Sequence, residues 1–139
     1  MGEQLVTKER FRRLLDELKL THRIDDDGDF AVQLSADSDC QYEVYVFYRV
    51  LENKIQVIGL SKLNIPEVRL HEALMFCNDW NTAKMLQCNV NLETKKLQTT
   101  YSLFTDVALS DEYIKENVIK LGSAMTWQFF VAAAKQFSP

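Results

Sequence analysis

Residues 42–60, YEVYVFYRVLENKIQVIGL, decide the fold class. Over Tyr42–Leu51 the side chains alternate, with Tyr42, Val44, Val46, Tyr48 and Val50 on one side and Tyr45, Phe47 and Leu51 beside Glu43 and Arg49 on the other. A period of two in β-branched and aromatic residues is the pattern of a strand, and apolar residues on both sides place it near the centre of a sheet. Glu52-Asn53-Lys54 then turns the chain into Ile55–Leu60, so this stretch predicts a hairpin.

On the N-terminal side, Thr21–Ile24 reads as a short strand entering Asp25-Asp26-Asp27-Gly28-Asp29. The Asp-Gly pair marks a tight turn, because both of its positions tolerate positive φ. The strand Phe30–Leu34 follows, and then a polar loop, Ser35–Gln41. Further upstream, Phe11, Leu14, Leu15 and Leu18 recur at steps of three and four, which predicts an amphipathic helix over Lys8–Leu18. Thr7 is its N-cap, and Arg10 at the capping-box position takes no part.

On the C-terminal side, Pro66 suits the first turn of a helix over Glu67–Trp80, with Leu70, Ala73, Leu74, Cys77 and Trp80 on one stripe. Two strands, Lys84–Leu92 and Leu97–Phe104, flank the turn Glu93-Thr94-Lys95-Lys96. The first sets Leu86, Cys88, Val90 and Leu92 against Gln87, Asn89 and Asn91, so one sheet face is wet there. Ser110, Asp111 and Glu112 start a third helix that runs to about Gln136, since the hydroxyl caps a free N–H and the carboxylates favour the positive end of the macrodipole. The expected fold is α+β: an antiparallel five-stranded sheet with helices packed on one face, in the order α-β-β-β-α-β-β-α, as one domain over residues 1–139.

The chain of 139 residues is 47% hydrophobic and 26% charged, with four Gly and two Pro, which fits one compact core without long linkers. The net charge is −4 and the basic residues form no stripe, so no nucleic acid partner is expected. Cys40, Cys77 and Cys88 are odd in number and show no C-x-x-C spacing, which suits a reducing cytoplasm. Met1–Glu9 lacks an apolar run of signal-peptide length, and Met125–Ala134 is too short to span a bilayer, so no membrane association is expected.

Motifs of chemistry fail one by one. With Gly28 at the sixth position of an EF-hand loop, the first and twelfth positions fall on Arg23 and Leu34, where carboxylates are required. His22 and His71 have no second ligand at the spacing metal motifs use. Gly122-Ser123 lacks the second glycine of a nucleophile elbow, and no cysteine has a nearby His. Glycine-rich phosphate loops are absent from the sequence, and the aromatics of Tyr42–Tyr48 lack the cations of a base-stacking platform. No catalytic residue, metal ligand or cofactor is assigned.

The third helix carries two apolar stripes. Ile114, Val118, Leu121, Met125, Phe129 and Ala132 make the expected core face. On the other side Trp127, Phe130, Ala134 and Phe137 recur at steps of three and four. Such a second stripe is either covered inside the fold, by the first helix, or pressed against another chain. These four residues are the candidate partner-binding set.

Asp26-Asp27-Gly28-Asp29-Phe30 in the first hairpin, and Asn78-Asp79-Trp80-Asn81 ending the middle helix before a strand, resemble the YbjN-type family of bacterial sensory transduction regulators over nearly the whole chain. The sequence after Trp80-Asn81 departs from the basic residues of that family. The resemblance implies a fold like the type III secretion chaperones, and with it a non-catalytic, chaperone-like module without a cofactor. Such a module binds a polypeptide partner and forms a homodimer. The alternative class is a small-molecule binder or enzyme whose site is assembled from residues distant in sequence, which requires a concave pocket with convergent polar groups.

Overall fold

The computed structural model describes residues 6–34, 40–83 and 86–138. Most of the loop expected at Ser35–Gln41, Lys84 and Met85 of the strand expected from Lys84, and Met1–Leu5 lie outside the described residues. Helix α1 (Lys8–Glu17) opens on Thr7, whose hydroxyl accepts the Arg10 N–H at 3.1 Å. Strands β1 (Arg23–Ile24), β2 (Phe30–Leu34), β3 (Val44–Val50) and β4 (Lys54–Ser61) follow. A short 3-10 turn, Glu67–Arg69, leads into α2 (Leu70–Ala83), and β5 (Gln87–Asn91) and β6 (Lys96–Phe104) form the last hairpin. The C-terminal rod comprises α3 (Asp111–Ile114), a π-helical segment at Lys115–Lys120, and α4 (Leu121–Phe137).

The sheet has six strands in the order β1-β2-β3-β4-β6-β5, all antiparallel, where the sequence predicted five. The sixth is β1, which falls within the short strand read at Thr21–Ile24 but outside the count of five, a two-residue rung pairing Arg23 with Ala31 and Ile24 with Phe30. The acidic turn closes it: Asp25 N–H donates to the Asp29 carbonyl at 2.9 Å, and Gly28 alone in this turn adopts positive φ, at 82°. The Asp25 side chain accepts the N–H groups of Asp27 and Asp29, which compensates for so short a pairing.

Strands β3 and β4 bury alternate residues, Val44, Val46, Tyr48 and Val50 facing Ile55, Val57, Gly59 and Ser61 on the inner face. One part of the core joins α1 to β2, β3 and the start of the C-terminal rod, with the Phe11 ring 5.6 Å from Phe30 and 5.3 Å from Tyr48. The other joins α2, α4, β5 and β6 through Cys77, Leu86, Cys88, Leu97, Phe129 and Phe137. On α2 the side chain of Leu74 points outward, 48% exposed, and Phe76 takes the inward place that the sequence stripe gave to it.

Helix α4 lies close against the sheet at two glycines. A Cβ on Gly59 would sit 2.5 Å from the Thr126 methyl and would overlap the Thr99 hydroxyl, and one on Gly122 would sit 3.0 Å from a Val57 methyl. At each point one partner contributes no side chain, so Thr126 packs directly on the β4 backbone and Val57 on that of the helix. A Gly59→Ala protein should fold with a lower urea midpoint, a loss of about 1–3 kcal/mol from overpacking, measured by denaturant unfolding at equilibrium.

The candidate binding groove

The structure revises the reading of the last helix. Phe130, Ala134 and Phe137 retain 1%, 5% and 1% of their accessible surface and belong to the chain's own core. Phe137 is covered by α2 rather than α1, and Phe130 lies against Gly59 of the sheet. The Phe76 ring meets Phe137 edge-on at 5.6 Å, Trp80 meets Phe129 edge-on at 5.2 Å, and the Arg69 guanidinium lies 4.7 Å over the Phe137 ring. Conversely, Leu121 of the expected core face is 36% exposed, and Met125 and Ala132 are half-buried.

The π segment accounts for this exchange. A π turn takes one residue more than an α turn and so rotates everything downstream by about one residue position. Ile114 just upstream of it and Val118 within it are buried, and downstream the inward set includes Gly122, Thr126, Phe129, Phe130, Ala133 and Phe137. Tyr48 donates its hydroxyl to the Ile119 carbonyl at 3.0 Å and shares a 2.5 Å hydrogen bond with Ser123. Burial pushes the Tyr48 hydroxyl up to about 12, so it stays a donor at neutral pH. Tyr101 donates to the Asn117 carbonyl at 3.4 Å. Uniform helical spacing carries no mark of such a segment; the sheet tyrosines that serve it are long-range contacts.

Trp127 is the member of the candidate set that keeps accessible surface, and it lies at a groove of about 610 Å³. Leu20 and Thr21 after α1, Val32, Gln33 and Leu34 of β2, and Ser123 and Ala124 of α4 complete its walls. Pairing of β2 with β1 ends at Ala31, so beyond that rung β2 has no strand neighbour on its outer side among the described residues. The groove thus combines an apolar wall, one aromatic anchor and an unpaired strand edge.

The other candidate chemistry is structural. The carboxylates of Asp25, Asp27 and Asp29 come within 4.8 Å of one another, but Asp29 is buried and its two oxygens receive Arg49 at 3.0–3.3 Å, while Asp25 caps the turn. His22 sits edge-on to Phe30 with Nδ1 3.0 Å from the Leu20 carbonyl, and His71 is exposed on α2. The three cysteines are buried as free thiols. Contact with Cys77, together with burial, pushes the Cys88 thiol up, away from a reactive thiolate.

The Asn78–Asn81 stretch gains a physical role. Asn81 Oδ1 accepts the Cys88 N–H at 2.7 Å and its Nδ2 donates to the Cys88 carbonyl at 3.0 Å. One side-chain amide thereby takes the place of a neighbouring strand on the edge of β5. Trp80 of the same stretch packs on Phe76 and Phe129.

A family model described as "putative bacterial sensory transduction regulator", YbjN, matches residues 7–120. The chain belongs to the YbjN family. The crystal structure of YbjN from E. coli, a "putative transcription regulator", superposes with a TM-score of 0.75 at 14% identity, covering 96% of this chain and 98% of that one. A chain of the HopA1–SchA chaperone–effector complex superposes with a TM-score of 0.52 at 13% identity, covering 88% and 94%. No curated protein matches the sequence. The YbjN match extends through all six strands and the Asn81 contact, and stops at Lys120, just before α4.

Two outcomes follow from the ties that close α2 over the core. The Glu72 carboxylate accepts Arg69 at 2.6 Å and Gln136 at 2.9 Å, and these bonds hold its carboxyl at about 2, below its ordinary 4.5. A depressed native pKa stabilises the fold above pH 4.5, and that contribution is lost as pH falls through about 2. Urea midpoints measured across this window should fall less steeply in Glu72→Gln than in the parent. Asn81→Ala removes both bonds to Cys88 and should cost about 1–2 kcal/mol, with faster amide exchange at Cys88 by NMR.

Proposed function

We propose that this chain is a non-catalytic regulatory module of the cytoplasm that binds an extended polypeptide segment and acts as a homodimer. The observation that carries the reading is the groove beside the open edge of β2. An extended segment laid there hydrogen-bonds to the unpaired strand and sets alternate side chains against Leu34, Ala124 and Trp127. Trp127 supplies the rigid aromatic surface that such contacts favour. The family description as a regulator and the fold shared with a chaperone–effector complex support a polypeptide as the ligand. Among the described residues no helix is long and apolar enough to cross a membrane.

Phe130 and Phe137 cannot report on this site, because replacing them opens the core. The test is a photo-cross-linking residue placed at Trp127 in one protein and at the exposed Glu112, far along the rod, in another. Both are expressed in the source organism and analysed by mass spectrometry. A polypeptide captured at position 127 and absent at position 112, with cross-links mapping to one short segment, is the expected result. Equal labelling at both positions, or none, would remove the groove from consideration.

A further inference from the structure

The outer face of the sheet, the side away from the helices, is chemically unlike the rest of the surface. Phe47 pairs with Ile58 and Tyr45 with Leu60 across β3 and β4, and Ala31 of β2 stands beside Phe47. Outward from these lie amides and hydroxyls: Gln33 beside Tyr45, Thr100 beside Ile58 and Gln98 beside Leu60, with Gln87 and Asn89 beyond on β5. From β2 across to β5 these two central rows contain no charged side chain, in a chain that is 26% charged. Two charge pairs that border the rows are matched within the chain, Arg49 to Asp29 at 3.0 Å and Lys62 to Glu43 at 2.7 Å, while the exposed Arg23 of β1 continues the Ala31–Phe47 row at the edge of the sheet.

We propose that this face is the surface on which a second copy of the chain docks, sheet against sheet about a two-fold axis. The inference deepens the dimeric part of the reading above and rests on it; the groove at Trp127 meets this face at Gln33 of β2. Self-association through a two-fold axis sets each residue near its own counterpart, so a charged patch would repel itself, whereas amides, hydroxyls and apolar side chains tolerate their own kind. Each chain carries a net charge of −4, which makes a face without further like charge the least opposed route to association.

Size agrees. Five strands at about 4.8 Å spacing and six or so residues at about 3.3 Å give a patch of roughly 500 Å² on each copy, or about 1,000 Å² in all, the threshold for a specific interface. The central apolar block is bordered by polar and ion-paired residues, the arrangement of an interface core and rim. Two twisted sheets stacked about 10 Å apart would bury Phe47 and Ile58 in the middle.

Sedimentation equilibrium of the parent chain over a wide concentration range is the first measurement, and a mass rising from one chain to two is expected. Ile58→Glu and Ile58→Lys, each folded by circular dichroism, should each remain monomeric, and an equimolar mixture should recover the dimer. Should either fail to fold, Thr100→Glu and Thr100→Lys make the same test from an adjacent polar position. Dimers that persist in each single variant, or a mixture that stays monomeric, overturn this face while leaving the dimeric reading intact. A parent that is monomeric throughout overturns both.

Discussion

The close approach of α4 to strand β4 is the constraint on which the rest of the structure depends. Gly59 and Gly122 remove the side chains that would hold the two backbones apart, and Thr126 and Val57 fill the contact. With the helix pressed so closely, its rotation about its own axis is set by interlocking rather than by average hydrophobicity. Phe129, Phe130 and Phe137 are the large side chains that α4 buries, Phe130 against Gly59 and the other two beneath Phe76 of α2.

The π segment follows from the same constraint. Helix α1 fixes the start of the C-terminal rod through Asp111, which accepts Arg10 at 2.9 Å and Arg13 at 3.0 Å, and through Lys115 on Glu17 at 2.8 Å. The glycine contact fixes its other half. An unbroken α-helix of uniform pitch would not satisfy both ends, and one extra residue per turn at Lys115–Lys120 reconciles them. Tyr48 and Tyr101, reaching up from β3 and β6, hydrogen-bond to its carbonyls and make it a stable feature.

The two free edges of the sheet are managed differently. On β5 the Asn81 amide occupies the backbone groups of Cys88, blunting an edge that would otherwise recruit another strand. On β2 the two-residue rung of β1 covers Phe30 and Ala31 and leaves the remainder open beside Trp127. One edge is therefore closed by a residue of the Asn78–Asn81 stretch and the other borders the groove at Trp127.

The strands, the caps at Thr7 and Ser110 and the acidic turn were legible in the residues because each is local: alternation over a few positions, a hydroxyl three residues from an N–H, a glycine free to take positive φ. The YbjN resemblance rested on the same local features, in Asp26–Phe30 and Asn78–Asn81, and the family match bears it out. The count of five left out the short Thr21–Ile24 strand that the residues had suggested, which the structure reduces to the two-residue rung β1. The partner-binding set was misassigned for three of its four residues because periodicity gives the spacing of apolar side chains but not the rotation of the helix that carries them. The sequence alone determined which residues are apolar, where chain direction changes and that charge is sparse along the sheet strands. Only the tertiary structure decided which face of the last helix turns inward, since that depends on Gly59, Gly122 and the π segment acting together across the chain.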